Sequence, residues 1–200
     1  MMSTTTSAFK EWAVAVDALQ DGKTILLLRK GGIHERGGRF KVAHEQFLLY
    51  PTYEHQQPSL LKPDYAHLVT PVPSGWHPET VRISAYAQIT AIFQVSDAPA
   101  VSALLPFHIW QEQFVCDRLK WKPQQPLYIL LLRTYKLSSA QVITYRQEYG
   151  GCKSWIDLAE SIPIEGAPVL DDVTYTEQVI EITQIVKENS NIGSTQPSKI

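Results

Sequence analysis

The sequence predicts an α+β fold: a mostly antiparallel sheet, able to curl into a barrel, flanked by N-terminal and C-terminal helices. Three observations predict it. Apolar residues recur at helical spacing near both ends of the chain, at Phe9, Trp12, Ala13, Val16 and Leu19 and again at Tyr175, Val179, Ile182 and Val186. Strand-like runs fill the middle, and most are joined by turns too short for a crossover helix.

In order, residues 7–20 read as the first helix, with Ser7 as its cap and Asp21-Gly22 as its stop. Residues 24–29 follow as a strand whose unbroken Ile25-Leu26-Leu27-Leu28 run suggests burial on both faces. Glycine pairs at Gly31-Gly32 and Gly37-Gly38 imply tight turns, with a short strand at residues 39–42 and another strand at 47–50. Residues 56–80, with Pro58, Pro63, Pro71, Pro73 and Pro78, read as a long ordered excursion. Alternation of Val81, Ile83, Ala85, Ala87 and Ile89 with polar residues marks a half-buried strand reaching about Val95. Asp97 is placed to cap a short helix, and a second helix over 107–121 should turn Trp110, Phe114 and Leu119 inward. A strand at 127–133, a polar turn, strands at 141–145 and 156–158, and the last helix complete the fold.

Residues 1–188 are expected to form a single domain, and 189–200 a polar, disordered tail. Ile129 to Arg133 repeats the five letters of Ile25 to Arg29, so two related halves, about 7–95 and 96–188, are an alternative organisation.

Composition narrows the function classes. A hydrophobic fraction of 44% and five tryptophans support a real core. No apolar run approaches the roughly 18 residues that span a membrane. Cys116 and Cys152 form no C-x-x-C, residues 1–7 are Ser/Thr-rich without an apolar leader, and a cytoplasmic protein with two free thiols is expected. Net charge is only -2, yet residues 29–41 hold five Lys/Arg against Glu35, while 157–188 hold eight acids against Lys187. Such asymmetry suits a face for a polyanion, although both stretches can equally be solvated surface.

The stretch 25–56 combines a buried scaffold with the densest polar chemistry. A strand ending in Arg29-Lys30-Gly31-Gly32 presents cations beside a turn where backbone can approach phosphate, without the order of a Walker loop. Arg29, Lys30, Arg36, Arg39 and Lys41 are the phosphate candidates, with Gly31 and Gly32 allowing close approach. Arg133 and Lys153 would extend the patch if the two halves face each other. Catalytic candidates are His34, Glu35, His44, Glu45, Glu54 and His55, since His44-Glu45 and Glu54-His55 flank one strand and could face each other as acid–base pairs. The histidines lack metal-ligand spacing, so no metal site and no cofactor are expected. Acid-x-Lys occurs only as Asp21-Gly22-Lys23, a turn signal, which weakens a restriction-type nuclease. Cys152 beside Lys153 reads first as structural. Trp76, Trp121 and Trp155 are potential base-stacking platforms, with Trp155 the more core-like.

Five separated motifs, KEWAVAVDAL, ILLLRKGGIHERGGRF, FLLYPTYEHQ, LYILLLRTYKL and YGGCKSW, resemble the family called domain of unknown function 1802. Some of its members stand beside restriction-type nuclease domains, which implies a recognition module in restriction–modification or another nucleic-acid process. Residues 19–29 also resemble the G-x-K-T-x-x-x-R pattern of ASCH domains, small PUA-like barrels, although Leu27 departs from the usual Glu before the Arg. The expected function is nucleic-acid or nucleotide binding through the basic turn. Competing readings are a hydrolase or nuclease built on the His/Glu candidates, and a protein-interaction subunit docking a partner through 56–80. Oligomeric state and the existence of any reaction stay open.

Overall fold

The computed structural model describes residues 3–30 and 43–189. The α+β expectation holds: seven strands form one sheet, β1 (Thr4–Trp12), β2 (Leu26–Arg29), β3 (Gln46–Thr52), β4 (Thr80–Val95), β5 (Leu127–Thr144), β6 (Trp155–Pro163) and β7 (Gly166–Pro168). Their order is β2-β5-β4-β3-β1-β6, with β7 pairing β5. All pairs are antiparallel except β1 with β3, which run parallel in the register Ala8 to Leu48 and Trp12 to Thr52.

The N-terminal expectation needs correction. Residues 4–12 are a strand and only Ala13–Gln20 is helix, α1. Phe9 and Trp12 suit a helix face, but Thr4-Thr5-Thr6 favours extended backbone, and the edge of β3 offers this segment a ladder that an isolated helical turn lacks. Asp21-Gly22 does end α1. Gly22 (φ +65°) donates its N–H to Leu19 and Lys23 donates to Ala18, the paired bonds of a Schellman stop. The start of α1 has no cap from its own segment; the Gln56 side chain accepts the Val14 N–H at 3.1 Å.

A second correction concerns β5. The expected turn after Arg133 is absent, and one strand continues to Thr144 along the whole of β4. Long strands of this kind need irregularities to bend, and the β4–β5 register shifts at Ile83/Ala85 and Ile89/Ala91 supply them. The two ILLLR segments are neighbours, antiparallel, with Leu27 opposite Leu130 and Arg29 opposite Tyr128.

Both faces of the sheet are buried. Phe9, Phe47, Leu49, Ala85 and Ala87 face a core shared with α1, α3 (Ala98–Ala103), α4 (Glu112–Lys120) and α5 (Asp172–Asn189). Their strand neighbours Ala8, Leu48, Tyr50 and Tyr86 face a second cluster with Ile83, Tyr149, Ile156 and Ile162, where the curled sheet covers itself. This explains the unbroken apolar run in β3, while Leu26, Leu27 and Leu28 of β2 are all buried in the first cluster. Asp97 caps α3 as expected, accepting the Ala100 N–H at 3.0 Å. The helix expected at 107–121 is shorter, because Leu105–Phe107 forms a separate 3-10 turn and Trp110 bridges to Leu61 before α4 begins. The proline-rich excursion holds a 3-10 turn at Pro58–Leu60 and α2 (Pro63–Ala66), anchored by buried Leu61 and Val69.

Candidate anion-binding cleft

The sheet does not close through strand pairing, yet its far strands meet. Arg29 at the end of β2 donates from Nη2 to the Lys10 carbonyl of β1 at 2.5 Å, and the same nitrogen lies 3.2 Å from Glu11 Oε2. β2 and β1 stand four steps apart in the sheet order. Only a curled sheet brings them together, and at this seam lies a cleft of about 820 Å³. The parallel pair β1/β3 sends Trp12 and Tyr50 to it, the loop after β3 adds Tyr53, the loop at 75–78 adds Trp76 and His77, α4 adds Phe114 and Arg118, and the 145–154 region adds Tyr145, Tyr149 and Cys152.

Charge at the seam is unbalanced. Glu11 is buried and serves two partners, the Arg29 guanidinium and the Trp12 N–H, which it accepts at 2.7 Å. Lys30 is buried, and its ammonium donates to the Leu119 carbonyl in the last turn of α4. Arg118 is largely withdrawn from solvent and has no ion pair among the described residues; its Nε is buried without a hydrogen-bond partner, and its guanidinium rests over Phe114 at 5.3 Å. Burial first, and then the positive charge of Arg29, push the Arg118 pKa down, against a smaller upward pull from Glu11. Burial followed by Arg118 does the same to Lys30. Arg29 therefore raises the cost of holding Arg118 charged, and Arg118 that of Lys30, a cost that an anion would relieve.

The walls are aromatic. Trp12 packs edge-on to Trp110 at 5.0 Å, Tyr53 edge-on to Trp76 at 6.0 Å, and His77 stacks on Tyr145 at 3.6 Å. Trp76 and Trp121 stay 42% and 43% exposed, and the Lys122 ammonium lies over the Trp121 ring at 4.4 Å. Lys10 reaches the cleft while donating to the Tyr149 and Gly151 carbonyls at 2.7 and 2.8 Å, and burial lowers its pKa.

Of the residues singled out from sequence, Arg29, Lys30, Lys153, Glu54 and His55 line this cleft. Gly31, Gly32, His34, Glu35, Arg36, Arg39 and Lys41, and the strand expected at 39–42, lie outside the described residues. Arg133 does not join the patch. Antiparallel pairing of the two ILLLR segments puts it at the opposite end of the ladder from Arg29, where Nη2 donates to Asp172 at 2.6 Å and the guanidinium lies over Tyr175 at 4.5 Å. It pins the start of α5. The two acid–base pairs do not face each other: His44-Glu45 precedes β3 and Glu54-His55 follows it, so the seven-residue strand holds them about 20 Å apart. His44 is edge-on to Trp155, a core-packed ring that also meets Phe9 and Phe47. Glu54 accepts the Gly75 N–H at 2.6 Å and lies 3.3 Å from His55 Nε2; the Gly75 bond first, then the Ser74 hydroxyl, hold its carboxyl below the ordinary range. Among the described residues no group of three or more His, Cys, Asp or Glu is placed to hold a metal. No helix among them is long and apolar enough to cross a membrane.

Sequence reasoning missed Lys10, Glu11, Trp12 and Arg118. An alternating reading of 4–12 would have put Glu11 on a strand, and three threonines were the available signal. Arg118 carried none, since a basic residue in the last turn of a helix is ordinary.

A curled α+β sheet with a cationic, aromatic cleft along its open seam thus defines the molecule. The chain belongs to the family described as Domain of unknown function (DUF1802), whose profile matches residues 8–181. Among curated proteins no relative is found. Among solved structures the fold is similar to ASCH from Zymomonas mobilis, at 14% identity over 87% of this chain and 92% of that one, with a TM-score of 0.44. A serine-to-alanine variant of the Zymomonas protein gives 13% identity, 91% and 99% coverage, and a TM-score of 0.43. Similarity at that level carries no functional weight.

Proposed function

We propose that the protein binds nucleic acid or a nucleotide in the seam cleft, with phosphate on Arg118 and Arg29 and bases against the aromatic walls. The observation that carries this is Arg118: a guanidinium withdrawn from solvent, beside a second guanidinium, with no carboxylate of its own among the described residues. Phosphate satisfies planar, forked donors of this kind, and Arg at a cleft rich in indole and phenol rings is the combination used for unpaired nucleic acid. Lys30 acts through the fold, securing the end of α4 that carries Arg118, while Lys10 and exposed Lys153 add charge at the rim. The setting we propose is cytoplasmic, fitting free Cys116 and Cys152, and accessory to restriction–modification or RNA/DNA processing.

The test is fluorescence anisotropy with labelled single- and double-stranded DNA and RNA at low and moderate salt. Binding should weaken as salt rises, with a log–log slope of about -0.7 per phosphate neutralised on a single strand. A protein that binds none of the four at low salt is not a nucleic-acid binder.

A further inference from the structure

We infer that the cleft is built for one dinucleotide step of a single strand: two unstacked bases, one on Trp121 and one on Trp76, joined by a phosphodiester held by Arg118. This rests on the nucleic-acid reading of the cleft and adds its size and strandedness.

The described cations withdrawn from solvent set the number of phosphates held inside the cleft. Arg29 is matched by Glu11, and Lys30 by the carbonyl end of α4 through Leu119. Lys10 spends its ammonium on two backbone carbonyls. Among the described lining residues withdrawn from solvent Arg118 is the cation left over, with exposed Lys153 at the rim, so one guanidinium meets one internal phosphate, which carries a single negative charge. The exposed rings fix the number of bases. Among the described large hydrophobics of the cleft, only Trp76 and Trp121 remain strongly exposed, and they come from different segments, the loop before β4 and the end of α4. Trp121 follows Arg118 by three residues at the end of α4, so a phosphate on Arg118 has a platform at hand for its own base. Trp76 is held edge-on to Tyr53, in a loop fastened by the Gly75 and Ser74 bonds to Glu54. A second base reaches this ring only if it is unpaired, because a duplex keeps its bases stacked on one another. A cleft of about 820 Å³ also lies within the range that encloses small ligands, well short of a duplex.

The experiment is calorimetric titration of a nucleoside monophosphate, a dinucleotide, a trinucleotide and a short duplex, with tryptophan fluorescence recorded in parallel. Affinity should rise about tenfold or more from mononucleotide to dinucleotide and change little on adding a third. Trp76→Ala and Trp121→Ala should each bring the dinucleotide down toward the mononucleotide while leaving the melting temperature unchanged, since both rings are half exposed. Equal binding of mononucleotide and dinucleotide, preference for the duplex, or no effect of either substitution on the dinucleotide would overturn the inference while leaving nucleotide binding intact. If no probe binds, the nucleic-acid reading falls with it.

Discussion

Three cations stand along the seam, and each meets a different fate. Arg29 is paired, Lys30 is bonded to backbone, and Arg118 has no partner of its own among the described residues. Arg29 and Lys30 were legible in the sequence because charge interrupting a buried strand is conspicuous. Arg118 and Glu11 were not, because their meaning comes from contact across the seam, which no local pattern encodes. Another buried group makes a pH prediction. His108 is buried, accepts the Trp110 N–H at 3.3 Å on Nδ1, and has its pKa pushed down to about 3, by burial first and then by Lys62. The folded pKa lies below the unfolded value of about 6.5, so the unfolded state binds more protons between those limits and stability falls as pH drops from 6.5 toward 3. The shift corresponds to roughly 5 kcal/mol at most. Urea melts of wild type and His108→Asn should converge as pH falls from 7 to 4, the variant losing much less over that interval. Parallel losses would remove His108 as the cause.

Elements were read well where one pattern dominated. The alternation in β4 and the apolar runs of β2 and β3 identified strands whose ends moved by only one or two residues. Errors arose where tertiary pairing decided between two allowed patterns: residues 7–12 suit a helix face but take a strand against β3, and β5 passes through its polar middle because β4 offers it a full-length partner. β7 shows how closely such pairing can be set. A Cβ on Gly166 would come within 1.8 Å of the Lys136 carbonyl oxygen, so β7 pairs with β5 only while this position is glycine. Gly166→Ala should cost about 1–3 kcal/mol, and hydrogen exchange should show lost protection at Ser138, whose N–H bonds to the Glu165 carbonyl. An unchanged exchange pattern would mean that β7 contributes nothing to the sheet.

At the scale of the whole molecule, the function proposed for the protein follows from how its sheet ends. The sheet curls until β2 and β1 meet through Arg29, Lys10 and Glu11 instead of through a ladder, and the gap so left is lined by rings and cations. The fold class could be read from periodicity and turn length. The cleft could not, because its lining comes from β1, β2, β3, α4 and the loops after β3, before β4 and after β5, brought together only by the curl. The most direct test is Arg118→Met, followed by thermal melting and by single-strand binding. An unpaired, desolvated guanidinium replaced by an apolar chain of similar length should leave the free protein as stable as wild type or more so, while weakening binding about tenfold or more. A variant that melts several degrees lower yet binds with undiminished affinity would show that Arg118 serves the fold, and would contradict the assignment of the seam as an anion site.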